Sequence, residues 1–460
     1  MTEDREGNTH LRELIICFEK IKDLKPHFSS EVCIYRVHEK LRTANPEAYT
    51  PLTISIGPNH HKPCNSRLWE LEGLKEFYTL SLLNRAQGVG VEECWKKLKE
   101  LEGRAKSYYN DHVRGLGDEF VKMLLLDGCF ILEFVIRSFL RALGGVREYD
   151  DDPIYNISGM ERYIVRDMLL LENQLPFFVL QSLYDMIIGR SGNIEFSDMV
   201  EFVFRIKIGK MNIFSLLGST ELNPQEIKHL LQAVHIFCRP PQPLINNGKI
   251  QLQQEEACSS CCFWEQPQKS TFDSSIVRAA SELQEAGVDI KKVKETTTTT
   301  LFDIKFNHGV LEIPSFTLFD LTETFLRNLI AYEQHSWDVR PKYFTDYAVF
   351  MDDLINTEKD VNLLRLKDVL LNGLGDEKEV THLFNNLCRG IRPSSNDDFY
   401  YKDVYNELNG HYKKSWNVAM AKLRRNYFHS PWAGISTFAA ILLLSLAIVQ
   451  TVVAALDLYK

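Results

Sequence analysis

The sequence predicts a mainly α (α+β) protein: a large helical body with a small β-hairpin or sheet and a C-terminal transmembrane helix. Three observations carry this. Trp432 to Leu456 is twenty-five residues without a charged side chain, enough as a helix to cross roughly 30 Å of hydrocarbon. Residues 118–143, DEFVKMLLLDGCFILEFVIRSFLRAL, are apolar nearly all round, the mark of a helix at the centre of a core. Leu301 to Phe306 alternates in polarity, and Asn307-His308-Gly309 turns it into Val310-Leu311-Glu312-Ile313, a β-hairpin pattern.

The chain divides into a variable lead-in (1–30), a body (31–430), the span (431–456) and a short tail (457–460). Within the body, 31–238 is a first helical half and 239–271 a linker loop rich in Pro, Gln, Asn and Ser. Residues 272–400 form a second half with the hairpin, and 401–430 a basic, amphipathic juxtamembrane segment. Both halves present apolar helical faces that need cover, which favours one fold over two domains.

Membrane orientation follows from the flank. Residues 401–430 hold six basic side chains against two acidic ones, in a chain of net charge −9. Tyr412, Trp416, Met420, Leu423 and Tyr427 recur on one helical face with Lys413, Lys414, Lys422, Arg424 and Arg425 mostly off it; the segment reads as a helix lying on an anionic lipid surface or as an ordinary helix packed on the body. Positive charge beside a span favours the cytosolic side, so the body is assigned to the cytosol. Trp432, Leu442, Leu443, Leu444, Ile448, Val452 and Leu456 are read as the anchor of this single-pass protein. The first ten residues are polar, so no signal peptide is expected, and ten scattered cysteines suit a reducing compartment. The acidic balance argues against a nucleic-acid partner.

Along the body, Leu52, Ile54 and Ile56 alternate as a short strand closed by Gly57-Pro58. Asp127 and Glu133, inside the apolar helix, require buried partners. Pro176 kinks or restarts a helix, and Glu172, Asn173 and Gln174 before it read as a hydrogen-bond network fixing the bend. Asp150, Asp151 and Asp152 read as a solvated acidic loop.

No phosphate loop, dinucleotide fingerprint, nucleophile elbow or H-E-x-x-H occurs. The metal candidate is His235-x-x-Cys238 with Cys258-x-x-Cys261, a spacing that could close a tetrahedral zinc site. The plainer reading is preferred: His235 and Cys238 end a helix and the other pair sits in the linker, so no metal or cofactor is assigned. His60-His61 reads as a turn feature rather than a base, and no two of Asp127, Glu133 and Glu172 are brought together by spacing alone.

Several stretches in order carry a resemblance. They include Tyr35-Arg36-Val37, Tyr49-Thr50-Pro51, Gly57-Pro58 with His60-His61, and Leu126-Asp127-Gly128-Cys129-Phe130. They continue through Arg166-Asp167, Leu171-Glu172-Asn173-Gln174-Leu175-Pro176-Phe177-Phe178 and Arg327-Asn328-Leu329-Ile330-Ala331-Tyr332-Glu333-Gln334. Over about 31–450 the chain closely resembles the plant domain-of-unknown-function 247 family, the UPF0481 proteins. Asn59 departs from the family's usual Tyr and bears on local packing. The resemblance implies a mostly helical plant protein with one C-terminal span and no established enzymatic activity. Some grass members are linked to self-incompatibility. The leading expectation is a non-enzymatic, membrane-tethered recognition or scaffold module with a protein partner. The alternatives are an enzyme with a pocket between two helical lobes, and a self-incompatibility-type recognition determinant.

Overall fold

The computed structural model describes residues 31–60, 66–85, 88–109, 111–144, 152–189, 194–210, 224–240, 278–294, 296, 299–413 and 431–457. A short helix α1 (Glu39–Arg42) and a 3-10 turn (Pro46–Tyr49) lead into α2 (Ser66–Arg85) and α3 (Val91–Ser107). Helix α4 (Gly117–Ala142) is the central element, followed by α5 (Pro153–Asn156), α6 (Met160–Met168), α7 (Phe177–Ile187), α8 (Phe196–Lys210) and α9 (Leu230–Cys238). Helices α2, α3, α7 and α8 pack around α4. Its Phe120, Phe130 and Phe134 are fully buried, each such ring contributing roughly 1.5–3 kcal/mol of hydrophobic stabilisation.

The second half opens with α10 (Ala280–Glu285) and strands β1 (Asp289–Lys292), β2 (Lys305–Asn307), β3 (Val310–Ile313) and β4 (Phe316–Leu318). After α11 (Thr322–His335), α12 (Tyr343–Leu354) and α13 (Glu358–Leu366) come β5 (Leu370–Asn372), α14 (Glu377–Leu387) and α15 (Lys402–Lys413). The expected hairpin forms: β2 pairs antiparallel with β3, Phe306 opposite Leu311, and β1 adds parallel to the other edge of β3. His308 and Gly309, with φ of 49° and 84°, make its two-residue turn. Strand β4 pairs in parallel with β5, Thr317 opposite Leu371.

Helix α11 joins the two halves. Fully buried Asn328 accepts from the Leu171 amide at 2.9 Å and donates to the Ala48 carbonyl at 2.8 Å. Five residues on, Glu333 accepts from the Phe344 and Thr345 amides at 3.0 and 2.7 Å and meets His235 Nε2 of α9 at 2.9 Å. The buried apolar residues of both halves form one contiguous cluster.

Three expectations are corrected. The stretch Leu52–Ile56 is not a strand and has no alternating face: Thr53, Ile54, Ser55 and Ile56 are all buried and Leu52 is exposed; the amides of Leu52, Thr53, Ile54 and Ile56 are taken by side chains. Asp152 is not in a solvated loop: it is 2% exposed, caps α5 and pairs with Arg137 at 2.6 Å. Asp150 and Asp151 lie outside the described residues.

The third correction concerns the C-terminal transmembrane helix expected over 431–456. Helix α16 (Pro431–Asp457) forms, but among the described residues no helix is long and apolar enough to cross a membrane. Leu442, Leu443, Leu444 and Ile448 are exposed on it. The side chains of Trp432, Val452 and Leu456 lie outside the described residues, as do the side chain of Lys413 and all of Lys414, Lys422, Arg424 and Arg425.

Candidate functional site

Asp127, Asp167, Asn173 and Gln174 converge on a buried frame. Asp167 accepts from the amides of Leu52, Thr53 and Ile54 at 3.0, 2.6 and 3.0 Å, and pairs with Arg166. Asn173 accepts from the Ile56 amide at 2.6 Å and donates to the Ile54 carbonyl at 3.0 Å. Asp127 takes the Gly57 amide at 2.8 Å and Lys75 Nζ at 2.7 Å. A sheet ladder is thereby replaced by carboxylates and an amide, each satisfying buried backbone donors that would otherwise be costly. Gln174 does the same for the bend before Pro176. It donates to the Met168 and Leu170 carbonyls and accepts from the Leu231 amide. Helix α7 restarts directly after Pro176, as expected.

Glu133 lies in a separate cluster, 0% exposed, accepting from Ser81, Arg85 and Arg137 at 2.7–3.2 Å. Asp127 and Glu133 thus have the partners their burial demands, and neither is paired with Glu172.

Glu172, like Glu333, has a histidine beside it. Its Oε1 accepts from the Val37 amide at 2.6 Å and from Arg42 at 2.5 Å, and its Oε2 stands 3.2 Å from His60 Nε2. Burial works to raise its pKa, but His60, Arg42 and the Val37 amide outweigh burial and hold it below the ordinary carboxylate value. Asn59, the departure from the family's usual Tyr, donates to the Glu172 carbonyl at 3.2 Å. His61 lies outside the described residues.

His235 and Cys238 end helix α9 and are buried. His235 meets Glu333, and burial pushes the Cys238 thiol up in pKa, the reverse of what a metal ligand needs. Cys258 and Cys261 lie outside the described residues, and among the described residues no group of three or more potential ligands is arranged to hold a metal.

A surface groove of about 360 Å³ lies between the end of β4, α11 and α14, within the size range of ligand clefts. Phe319, Leu374 and Leu383 give it apolar walls; Asp320, Glu323 and Glu379 give it acid, with Lys378 and His382 at its side. Glu323 is tied to Arg327 at 2.7 Å. Asp320 and Glu379 have no hydrogen bond or ion pair among the described residues. Gly373 sets the shape: a Cβ there would stand 2.6 Å from both the Leu318 carbonyl oxygen and Cδ1 of Phe319. Its missing side chain lets the aromatic ring lie against the β5 backbone. None of these residues stands out in the sequence. The available signal was the Asn372-Gly373-Leu374-Gly375 turn following a strand, with Asp376-Glu377-Lys378-Glu379 opening the next helix.

Fold and groove together define a mainly helical α+β protein built on a buried carboxylate frame, with an open acidic groove on its second half. The chain belongs to the DUF247 family, described as "plant protein of unknown function", which it matches over residues 34–446. A UPF0481 protein of Arabidopsis thaliana is 29% identical over 431 residues, covering 92% of this chain and 86% of that protein. A putative UPF0481 protein of the same plant is 25% identical over 501 residues, covering 93% of this chain and 91% of that one. No solved structure matches.

Proposed function

We propose that this protein is a non-catalytic recognition module that takes a basic, partly apolar segment of a protein partner in the groove at Phe319. The observation that carries the reading is the contrast between the two sets of carboxylates. Asp127, Glu133, Asp167 and Glu172 are committed to internal partners, whereas Asp320 and Glu379 face solvent beside apolar walls. A lysine or arginine head would meet the two acids while its alkyl stem, or a neighbouring apolar side chain, covers Phe319, Leu374 and Leu383. The test is fluorescence anisotropy of the full chain with labelled hexapeptides, Lys or Arg flanked by Leu or Phe, against the same peptides carrying Glu. Selective binding of the basic peptides, weakened at least tenfold by the double reversal Asp320→Lys, Glu379→Lys, is the expected result. Equal binding of acidic and basic peptides, or indifference to the reversal, would refute it.

A second reading, an uncharacterised enzyme, is favoured by the approach of His60 to buried Glu172, residue types suited to general acid–base work. Turnover in a metabolite screen that His60→Gln abolishes, with folding retained, would support it over the recognition module.

A further inference from the structure

A second cavity lies on the opposite half of the fold, at the C-terminal end of α4. It has a volume of about 210 Å³ and is lined by Ser138, Arg141, Tyr155, Glu161, Val203 and Lys207, with Ala142 and Ile206 completing the wall. Tyr155 is held at its centre. The Arg141 guanidinium lies 4.3 Å from the ring centroid and Lys207 Nζ lies 5.8 Å from it. Lys207 is also closely paired with Glu161. The Arg141 side chain has no ion pair or hydrogen bond among the described residues.

The hydroxyls give the second, independent observation. Ser138 Oγ and Tyr155 Oη are 2.7 Å apart, and Ser138 is 1% exposed. Two hydroxyls carry two hydrogens, and one of them bridges the oxygens. The other finds no acceptor among the described residues, and the part-buried pair lines the cavity. An acceptor brought into the cavity would satisfy it, and an anion would also meet Arg141, whose planar fork suits a carboxylate. Val203, Ile206 and Ala142 supply apolar wall for the rest of such a molecule. A cavity of roughly 150 Å³ accommodates benzene, so this one holds a ring of that size together with a carboxylate.

We propose that this cavity is a binding site for a small organic carboxylate with a compact apolar body. The acid group pairs with Arg141 and accepts from the Ser138–Tyr155 couple, and the body lies against Val203 and Ile206.

The test is isothermal titration calorimetry of the full chain with benzoate, phenylacetate and 3-methylbutanoate, beside neutral benzamide and inorganic phosphate. The expected result is saturable binding of at least one carboxylate, with benzamide and phosphate at least tenfold weaker. Arg141→Gln, an exposed position at a helix end, should weaken binding tenfold or more with an unchanged circular dichroism spectrum. Tyr155→Phe, which removes the spare hydroxyl proton, should weaken it severalfold. Absence of saturable binding by all three carboxylates overturns the proposal, as does affinity unchanged by Arg141→Gln. Phosphate binding as tightly as the carboxylates would also overturn it, because the apolar wall would then contribute nothing. Reversal of Asp320 and Glu379 is expected to leave carboxylate binding unaltered, so this result and the peptide result stand or fall separately.

Discussion

Oδ2 of Asp167 accepts a 2.6 Å hydrogen bond from the backbone nitrogen of Thr53, 114 residues away in the chain. With the Leu52 and Ile54 amides on the same carboxylate, one side chain does what a neighbouring strand would do for the segment. Because both Asp167 and its partner Arg166 are buried, the contact is cut off from water and its loss is not made up by solvation.

Asp167→Asn is therefore expected to destabilise the protein by roughly 3–5 kcal/mol. The amide nitrogen cannot accept, and Arg166 loses its buried counter-charge. Urea unfolding followed by tryptophan fluorescence measures this. A change under about 1 kcal/mol, the cost of an average point substitution, would show that the carboxylate does not hold the segment.

Gly57 closes the same segment with φ of +74°, and a Cβ there would lie 2.5 Å from the Gln174 carbonyl oxygen. Gly57→Ala should cost roughly 1–3 kcal/mol from backbone strain alone, with the carbonyl contact adding to it. The checking comparison is Gly103→Ala, where a Cβ meets nothing within 4 Å in the interior of α3 and helix propensity favours alanine. The two variants should move the urea midpoint in opposite directions.

These two sites mark where the sequence is legible and where it is not. The central helix Gly117–Ala142, the hairpin at Asn307-His308-Gly309 and the restart after Pro176 are visible because each signal is local: periodicity, a turn, a ring that blocks a helix. The alternation of Leu52, Ile54 and Ile56 places Ile54 and Ile56 inside correctly but not Leu52, which is exposed while Thr53 and Ser55 are buried, and it cannot report what takes the amides. Those partners, Asp167 and Asn173, sit more than a hundred residues on. Asp152 hides for the same reason, since an acidic run looks solvated until Arg137 and Tyr78 are folded against it. The groove gathers residues from β4, α11 and α14, some sixty positions apart, and its acids look like any exposed helix face. At the C-terminus the apolar composition of Pro431–Asp457 predicts the helix that forms, while the span read into it is the part corrected.

Stability should depend on pH through opposed groups, of which Asp346 and Glu172 are one on each side and Asp353, raised by burial to about 6, acts with Asp346. Asp346 accepts from Ser394 Oγ at 2.6 Å and from the Tyr400 amide at 2.8 Å, fastening the segment before α15 onto α12. Burial raises its pKa from the ordinary 3.8 to about 7, against those two hydrogen bonds; Glu333 adds to the rise and Lys342 opposes it. A raised carboxyl contributes stability that is complete below its unfolded value and is lost as pH climbs through about 7. At about 1.4 kcal/mol per tenfold change in proton affinity, the contribution is of order 4 kcal/mol. Glu172, held below its ordinary value, works the other way and loses its contribution as pH falls through its folded pKa. The urea midpoint should therefore rise from pH 8 to pH 5 and fall again in stronger acid. Asp346→Asn should reduce the neutral limb, leaving the part that Asp353 contributes, and leave the acid limb in place; a neutral limb unchanged in that variant would assign it to other groups.

The last prediction concerns the shape of the groove. Gly373 donates to the Leu318 carbonyl at 2.8 Å, and the Phe319 ring occupies the space where a side chain at 373 would be. Gly373→Ala must push the ring outward or part β4 from β5, an overpacking cost of roughly 1–3 kcal/mol. Phe319→Ala removes the same apolar wall from a residue already 36% exposed, and so should cost much less stability. The recognition reading requires both variants to lose affinity for the basic peptides, although only the first strains the sheet. Loss in the glycine variant with full binding in Phe319→Ala would mean that the strand pairing matters and the ring does not. The apolar half of the recognition would then fall to Leu374 and Leu383.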